Sequence, residues 1–379
     1  MDSHCRDAFL ADWRAAQHAT AHGVVASRTC ATNTHWDVWT EFCTDLAVDP
    51  LLEDITDPVV LFQVFLHRYR EGRLTKRGKA GGNTVRARTA EDALRSVGQT
   101  FAAMGSADPR LTPQGRMDFR LTCQISYYKK QDPPPDRVKP VPVTVIRHIM
   151  YAALASAITG NIAIADMIAL AFFFLLRPGE YTATASESTP FRLCDVQLFA
   201  GLTRLDLTAA TEAELLSATF GSLTFSTQKN GVRGEVIGLA RSGNPQLCPV
   251  LCLIRRVLHL RSHNAEPTTP LSMYYHNTWR RVSPADITSG LRTAVIALGP
   301  SLGFNASDIS ARCLRAAGAM ALLCAQVDTD IIRLLGRWRL DETLRYLHLQ
   351  AEPVMRNFAA RMLSGGEFVL NPNAEVPQG

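Results

Sequence analysis

Five prolines fall within ten residues, at positions 133, 134, 135, 140 and 142. No helix continues through such a run, because each proline removes a backbone donor and its ring crowds the preceding turn. The stretch 129–145, KKQDPPPDRVKPVPVTV, therefore reads as an extended linker. It divides the 379-residue chain into two parts, and the length leaves each part ample chain for its own core.

The part before the linker is patterned for helices. Trp36, Trp39, Phe42 and Leu46 recur at helical spacing after a Thr-Asn-Thr start, and Phe62, Phe65 and Leu66 repeat the pattern. A third segment, 90–104, places Leu94, Val97, Phe101 and Met104 on one face. Residues 30–128 thus read as a small helical bundle, and residues 1–29 as a tail with no recognisable pattern.

Beyond the linker, helices resume at 146–159 and 164–176. The most apolar stretch, 162–176, is shorter than the ~18 residues of a membrane span and contains Asp166, so no membrane association is expected. Residues 223–240 alternate and turn at Lys229-Asn230-Gly231, a hairpin signal. From 283 onward the pattern is again helical. The expected fold is mainly α, with an α+β second domain, 146–379, carrying one small antiparallel sheet.

With 46% hydrophobic and 20% charged residues, the chain is not globally disordered. The net charge of +5 is too mild to imply a nucleic-acid partner. Its make-up is less ordinary, since only six of the 40 cations are Lys. Arginine suits bidentate phosphate contacts, although codon bias in a GC-rich genome produces the same excess. The charge is also uneven: residues 68–88 hold eight cations and one acid among glycines. Arg70, Arg73, Lys76, Arg77, Lys79, Arg86 and Arg88 are candidates to face a DNA backbone, against the plainer reading of a solvated loop. The nine cysteines are scattered, and no Cys/His set at zinc spacing accompanies Cys248 and Cys252. They read as reduced, mostly buried thiols of an intracellular protein, and the acid-bearing N-terminus lacks the apolar core of a secretory signal.

Three polar segments of the second domain fit a pure packing account poorly. In FFFLLRPGEY, Pro178 sets Arg177 at a helix end with Glu180 three residues on. In RCLRAAGAMALL, Arg312 and Arg315 share one helical face, so both cations can meet one phosphate. In GRWRLDETLRYLHLQ, Trp338 and Tyr346 lie eight residues apart. Taken singly, these read as a helix-terminal Arg–Glu pair, two solvated arginines, and a core Trp with a half-buried Tyr.

In order and content together, the segments resemble the tyrosine recombinases, the phage-integrase-like enzymes that break and rejoin DNA. LLRPGE is similar to the family's first arginine box and RCLRAAGAMALLCAQVD to its second, in which Arg315 is the second arginine. LLGRWRLDETLRYL is similar to its closing motif, with Trp338 in the place of the family's His or Trp and Tyr346 in that of the nucleophile. The family carries a lysine on a β-hairpin between the boxes, and Lys229, the only lysine after position 139, sits on the expected hairpin turn. The GRW and KNG variants look closest to integrase-like proteins of eukaryotic mobile elements.

The resemblance implies a core-binding domain at 30–128 and a catalytic domain at 146–379 that together clamp double-stranded DNA. It implies attack by Tyr346 to give a 3′-phosphotyrosine. Arg177 and Arg315 would hold the phosphate, Trp338 would donate its indole N–H to it, Glu180 would orient Arg177, and Lys229 would protonate the leaving 5′-oxygen. Neither metal nor nucleotide cofactor is implied. A homotetramer on two DNA sites is, with an amphipathic helix at 353–362 (Val354, Phe358, Ala359, Met362) docking either into a neighbour or onto its own domain. A eukaryotic member would act in the nucleus.

Arg312 departs from the family, which has His at that position; arginine exchanges protons poorly. His348 is a candidate substitute base, and Arg312 still adds positive charge. The departure keeps open a DNA-binding protein of the same fold that no longer cuts. Type IB topoisomerase-like relaxation and a helical scaffold unrelated to DNA are further alternatives.

Overall fold

A computed structural model describes residues 3–23, 26–74, 84–133, 139–182, 189–226, 234–299, 302, 304–338 and 357–367. The described residues are mainly helical, with a small antiparallel sheet. The chain forms two compact units, Met1–Pro135 and Asp136–Gly379, and the division falls inside the proline run.

The first unit holds α1 (Ser3–His22), α2 (Ala26–Asp45), α3 (Pro58–Arg70), α4 (Ala87–Ala103) and α5 (Phe119–Gln131). The segment expected to be a tail is therefore helical. Residues 3–22 contain neither Gly nor Pro and are rich in alanine, so intrinsic propensity favours a helix where no apolar stripe marks one. Asp57 caps α3 by accepting from Val59 N at 3.3 Å, ahead of Pro58 in the first turn. Asp118 caps α5 in the same way, through Arg120 N at 2.8 Å. The core is aromatic: Trp39 stacks on Phe62 with ring centroids 4.7 Å apart and meets Phe65 edge-on. Its buried indole Nε1 donates to Pro50 O at 3.0 Å. Met104, expected on the buried face, falls just past the end of α4 and is half exposed.

The basic segment divides sharply. Arg70 is buried; its Nη1 lies 2.6 Å from Asp132 Oδ1 and also donates to Val85 O. It ties the ends of α3 and α5 to the approach to α4, and so is not a phosphate-facing residue. Arg73, Arg86 and Arg88 are exposed. Lys76, Arg77 and Lys79 lie outside the described residues.

In the second unit, α6 (Val143–Ser156) leads to α7 (Thr159–Phe173), a short α8 (Pro178–Tyr181), strands β1 (Val196–Ala200) and β2 (Thr203–Arg204), and α9 (Glu212–Leu216). Then follow β3 (Phe220–Phe225), β4 (Glu235–Ala240), α10 (Pro249–Ser262), β5 (Met273–His276) and β6 (Thr278–Arg281). The unit closes with α11 (Pro284–Leu298), α12 (Cys313–Cys324), α13 (Thr329–Leu335) and α14 (Phe358–Gly365). Since α5 runs to Gln131 and α6 starts at Val143, helix takes both ends of the expected 129–145 linker.

Helix α7 is the axis of this unit, buried among α6, α10, α11 and α12. Its Asp166 is fully buried and accepts from Arg255 Nε at 2.9 Å; burial nevertheless pushes its carboxyl upward. Close approach of α12 requires Gly318, where a Cβ would sit 2.2 Å from Phe172 O. Because α7 leads into Arg177 and Arg315 lies in the first turn of α12, that contact sets the spacing of the two arginine segments.

The four-stranded antiparallel sheet runs β2-β1-β3-β4. Strands β3 and β4 form the expected hairpin, closing at Phe225 opposite Glu235, while its connection at 227–233, Lys229 included, lies outside the described residues. A second sheet, the β5–β6 hairpin, was not expected from the sequence.

The described part of helix α14 runs Phe358–Gly365, and residues 353–356 of the expected helix, Val354 included, lie outside the described residues. Its Phe358, Ala359 and Met362 are buried, and the helix packs on α12 of its own unit. Of the two expected placements, packing on its own domain is the one these residues show. The cysteines are all free but not mostly buried: Cys43, Cys248, Cys252 and Cys313 are buried, and the other five exposed. Among the described residues no helix is long and apolar enough to cross a membrane.

Candidate functional site

The turn after α7 is built to present Arg177. Leu175 adopts a left-handed backbone conformation (φ 49°), and Arg177 is the N-cap of α8, followed by Pro178. Glu180, in the first turn of α8, closes back on the cap. One carboxylate oxygen accepts from Arg177 N at 2.8 Å and the other from Arg177 Nη1 at 2.9 Å. Its neighbour in sequence, Tyr181, is buried and donates its hydroxyl to Ala311 O at 3.0 Å, which draws the start of α12 towards this turn.

A residue from the third segment completes the arrangement. Arg337 is left-handed (φ 54°) and fully buried, with Nη2 2.9 Å from Glu180 Oε2. Its guanidinium also donates to Phe174 O and Leu175 O, both at 3.2 Å, and lies 3.9 Å from the Phe225 ring centroid. Arg337 therefore joins the end of α7, the end of β3 and the end of α13. Glu180 sits between Arg177 and Arg337, buried with Arg337, while Arg177 stays partly exposed.

Arg315 is the third guanidinium. It donates through Nη2 to Gly336 O, and its guanidinium carbon lies 4.7 Å from the Trp338 ring centroid. Trp338 folds back over Gly336, where a Cβ would come within 1.8 Å of its ring, so only glycine allows this cover. Burial, then repulsion by Arg177 and Arg337, pushes the Arg315 guanidinium down to about 9, with Glu180 opposing. Among the described residues, the buried Nη1 of Arg315 has no hydrogen-bond partner. Burial also lowers Arg337, against the attraction of Glu180 and Glu235.

Two guanidiniums, Arg177 and Arg337, thus share the Glu180 carboxylate by hydrogen bonds, and Arg315 feels it only through space, with Glu235 a further acid felt by Arg337. The cluster carries more positive charge than it neutralises, and a buried donor without a partner costs about 1–3 kcal/mol. An oxyanion bound at Arg315 Nη1 would relieve both.

The geometry brings together four of the residues singled out in the sequence: Arg177, Glu180, Arg315 and Trp338. Arg312 is exposed at the N-cap of α12, with no side-chain capping bond. Lys229 and Tyr346, as well as His348, lie outside the described residues. Arg337 was missed. It stands beside Trp338 in GRWR, but nothing in the sequence marks the left-handed turn that directs its side chain inward. Among the described residues no group of three or more His, Cys, Asp or Glu is placed to hold a metal ion. No protein-family model matches the chain, and no curated protein matches its sequence.

Proposed function

We propose that the chain is a DNA strand-cleaving and rejoining enzyme of the tyrosine-recombinase type, acting through a covalent 3′-phosphotyrosine at Tyr346. The observation that carries this reading is that Arg177 and Arg315, from segments 138 positions apart, come close enough to repel each other, Arg177 held by Glu180 and a buried Arg315 donor left for an oxyanion. In this reading the two guanidiniums bind the non-bridging oxygens and stabilise charge as the phosphorus becomes five-coordinate; loss of such a donor typically costs ~10²–10³ in rate. The Tyr346 phenol gives its proton to His348 or to water as its oxygen bonds to phosphorus, the bond to the 5′-oxygen breaks, and Lys229 supplies the proton that the leaving oxygen takes up. Trp338 covers Arg315 and keeps water from it. Glu180, itself braced by Arg337, holds Arg177 in place. Assembly as a homotetramer on two DNA sites follows from the family resemblance and belongs to the same proposal.

The test is covalent capture. Incubated with a nicked suicide duplex carrying its target, the chain is expected to form a protein–DNA adduct that resists denaturant, and Tyr346→Phe to form none. Arg315→Gln is expected to slow adduct formation by ~10²-fold or more while leaving the fold intact. Absence of an adduct from the unaltered chain on its own target defeats the enzyme reading. It then favours the second one, a DNA-binding protein of this fold that does not cut. The exposed Arg312, where a proton-exchanging His is expected, is the observation on that side.

A further inference from the structure

The β5–β6 hairpin is built asymmetrically. Its first strand is held from beneath: buried Arg256 donates to Leu271 O at 3.0 Å and also to Met273 O, and Tyr275 N donates to His259 Nε2 at 2.9 Å. Tyr274 rests on α7, close enough that a Cβ on Gly160 would come within 3.2 Å of its ring. The second strand has no such cover, and all of Thr278, Trp279, Arg280 and Arg281 are exposed. The turn is tight, with His276 paired to Thr278 around a left-handed Asn277 (φ 61°).

What this strand presents is aromatic and basic. Trp279 is 39% exposed and meets Tyr275 edge-on at 5.6 Å, while His263 stacks on Tyr275 at 4.5 Å. Residues 267–285 contain two arginines, one histidine and no acid. Alternation along the strand puts Trp279 and Arg281 on one face, ~6.6 Å apart along the chain, and Arg280 on the other. An aromatic ring and a guanidinium at that interval match a base and a phosphate of successive nucleotides in an extended strand. Burial, then Arg256 and His263, push His259 down to about 4, which leaves Nε2 free to accept from Tyr275 N of the hairpin.

We propose that the β5–β6 hairpin is a binding element for an unpaired nucleic-acid strand, with a base stacked on Trp279 and a phosphate paired with Arg281. Stacking platforms of this kind take any base, because every base offers a π-face. In a paired duplex that face is used by the neighbouring base, so Trp279 selects unpaired over paired strands. The proposal stands on the hairpin alone and does not depend on strand transfer at the arginine cluster.

Fluorescence anisotropy of the full chain with short labelled thymidine and uridine oligonucleotides, and with a duplex of the same length, tests it. Trp279→Ala is expected to weaken oligonucleotide binding about tenfold while changing duplex binding little, and Trp279→Phe to retain most of it. Arg281→Gln is expected to weaken binding and to flatten its dependence on salt, and Arg280→Gln, on the other face, to change it little. Circular dichroism melting identifies any variant that has lost its fold, and the Phe variant then carries the comparison. Tighter binding of the thymidine or of the uridine strand assigns the sugar. Unchanged oligonucleotide affinity in Trp279→Ala, or an equal loss for duplex and single strand, overturns the proposal. Arg315→Gln is expected to leave oligonucleotide affinity unchanged, which separates failure of the hairpin from failure of the phosphate site.

Discussion

Arg337 Nη2 lies 2.9 Å from Glu180 Oε2, and both side chains are buried. The carboxylate that fixes Arg177 at the head of α8 is thus fixed in turn by a residue 157 positions later in the chain. The pair closes a loop through the site: Arg177 to Glu180, Glu180 to Arg337, and the adjacent Gly336 carbonyl to Arg315. Any anion held between Arg177 and Arg315 is therefore held by groups whose positions depend on this ion pair.

Arg337→Ala removes one partner from a buried pair and leaves the carbonyls of Phe174, Leu175 and Leu335 without their guanidinium donor. Breaking a buried pair in this way typically costs ~3–5 kcal/mol. Urea unfolding is expected to show a loss of that size, with Arg337→Lys recovering part of it because the charge persists without the fork. A loss below ~1 kcal/mol in Arg337→Ala shows that the packing of α7 and α13, rather than the ion pair, holds the turn.

Gly318 and Gly290 make a paired comparison. A Cβ at Gly318 meets the Phe172 carbonyl oxygen at 2.2 Å, whereas one at Gly290 meets only side-chain methyls, at 3.6 Å and beyond. Gly318→Ala must push α12 off α7, at a cost of about 1–3 kcal/mol. Gly290→Ala, in the middle of α11, is expected to stabilise by up to ~1 kcal/mol through helix propensity. Equal unfolding free energies for the two variants rule out the close α7–α12 approach that spaces Arg177 from Arg315.

The acid response is set in part by His259. Burial holds its folded-state pKa at about 4, against an ordinary 6.5. Between these values the unfolded chain takes up a proton that the folded chain refuses. Stability from this group is therefore complete above pH 6.5 and is lost as pH falls towards 4. Discounted for its partial exposure to solvent, the loss is on the order of 2 kcal/mol. His259→Gln keeps an acceptor for Tyr275 N and removes the titration. Its unfolding free energy, measured from pH 7 to pH 4, is expected to fall less steeply than that of the unaltered chain; parallel curves exclude His259 as the source.

Much of the first unit was legible because its core is periodic. Trp39, Phe42, Phe62, Phe65, Leu94 and Phe101 recur at helical spacing, and all six are buried together. The same method passed over α1, where alanine favours a helix without an apolar stripe, and over β5–β6, whose strands are too short for alternation to register. Residues 68–88 read as one basic run, yet Arg70 points inward. Its partner, Asp132, is 62 positions away in sequence and meets it only when α3 packs on α5.

Local chemistry written in the sequence determined where helices are possible, where the proline run forbids them, and which Arg, Glu and Trp residues are awkward for packing alone. A proline lacks its donor and an arginine carries its charge wherever the chain goes. Which guanidiniums meet was decided by tertiary structure. Arg337 enters the cluster because a left-handed backbone, three carbonyls, the Phe225 ring and a buried carboxylate converge on it, and Arg315 is depressed because the fold buries it beside two like charges. Burial and through-space charge arise from segments far apart in the chain, so they exist only once α7, α12 and α13 are packed.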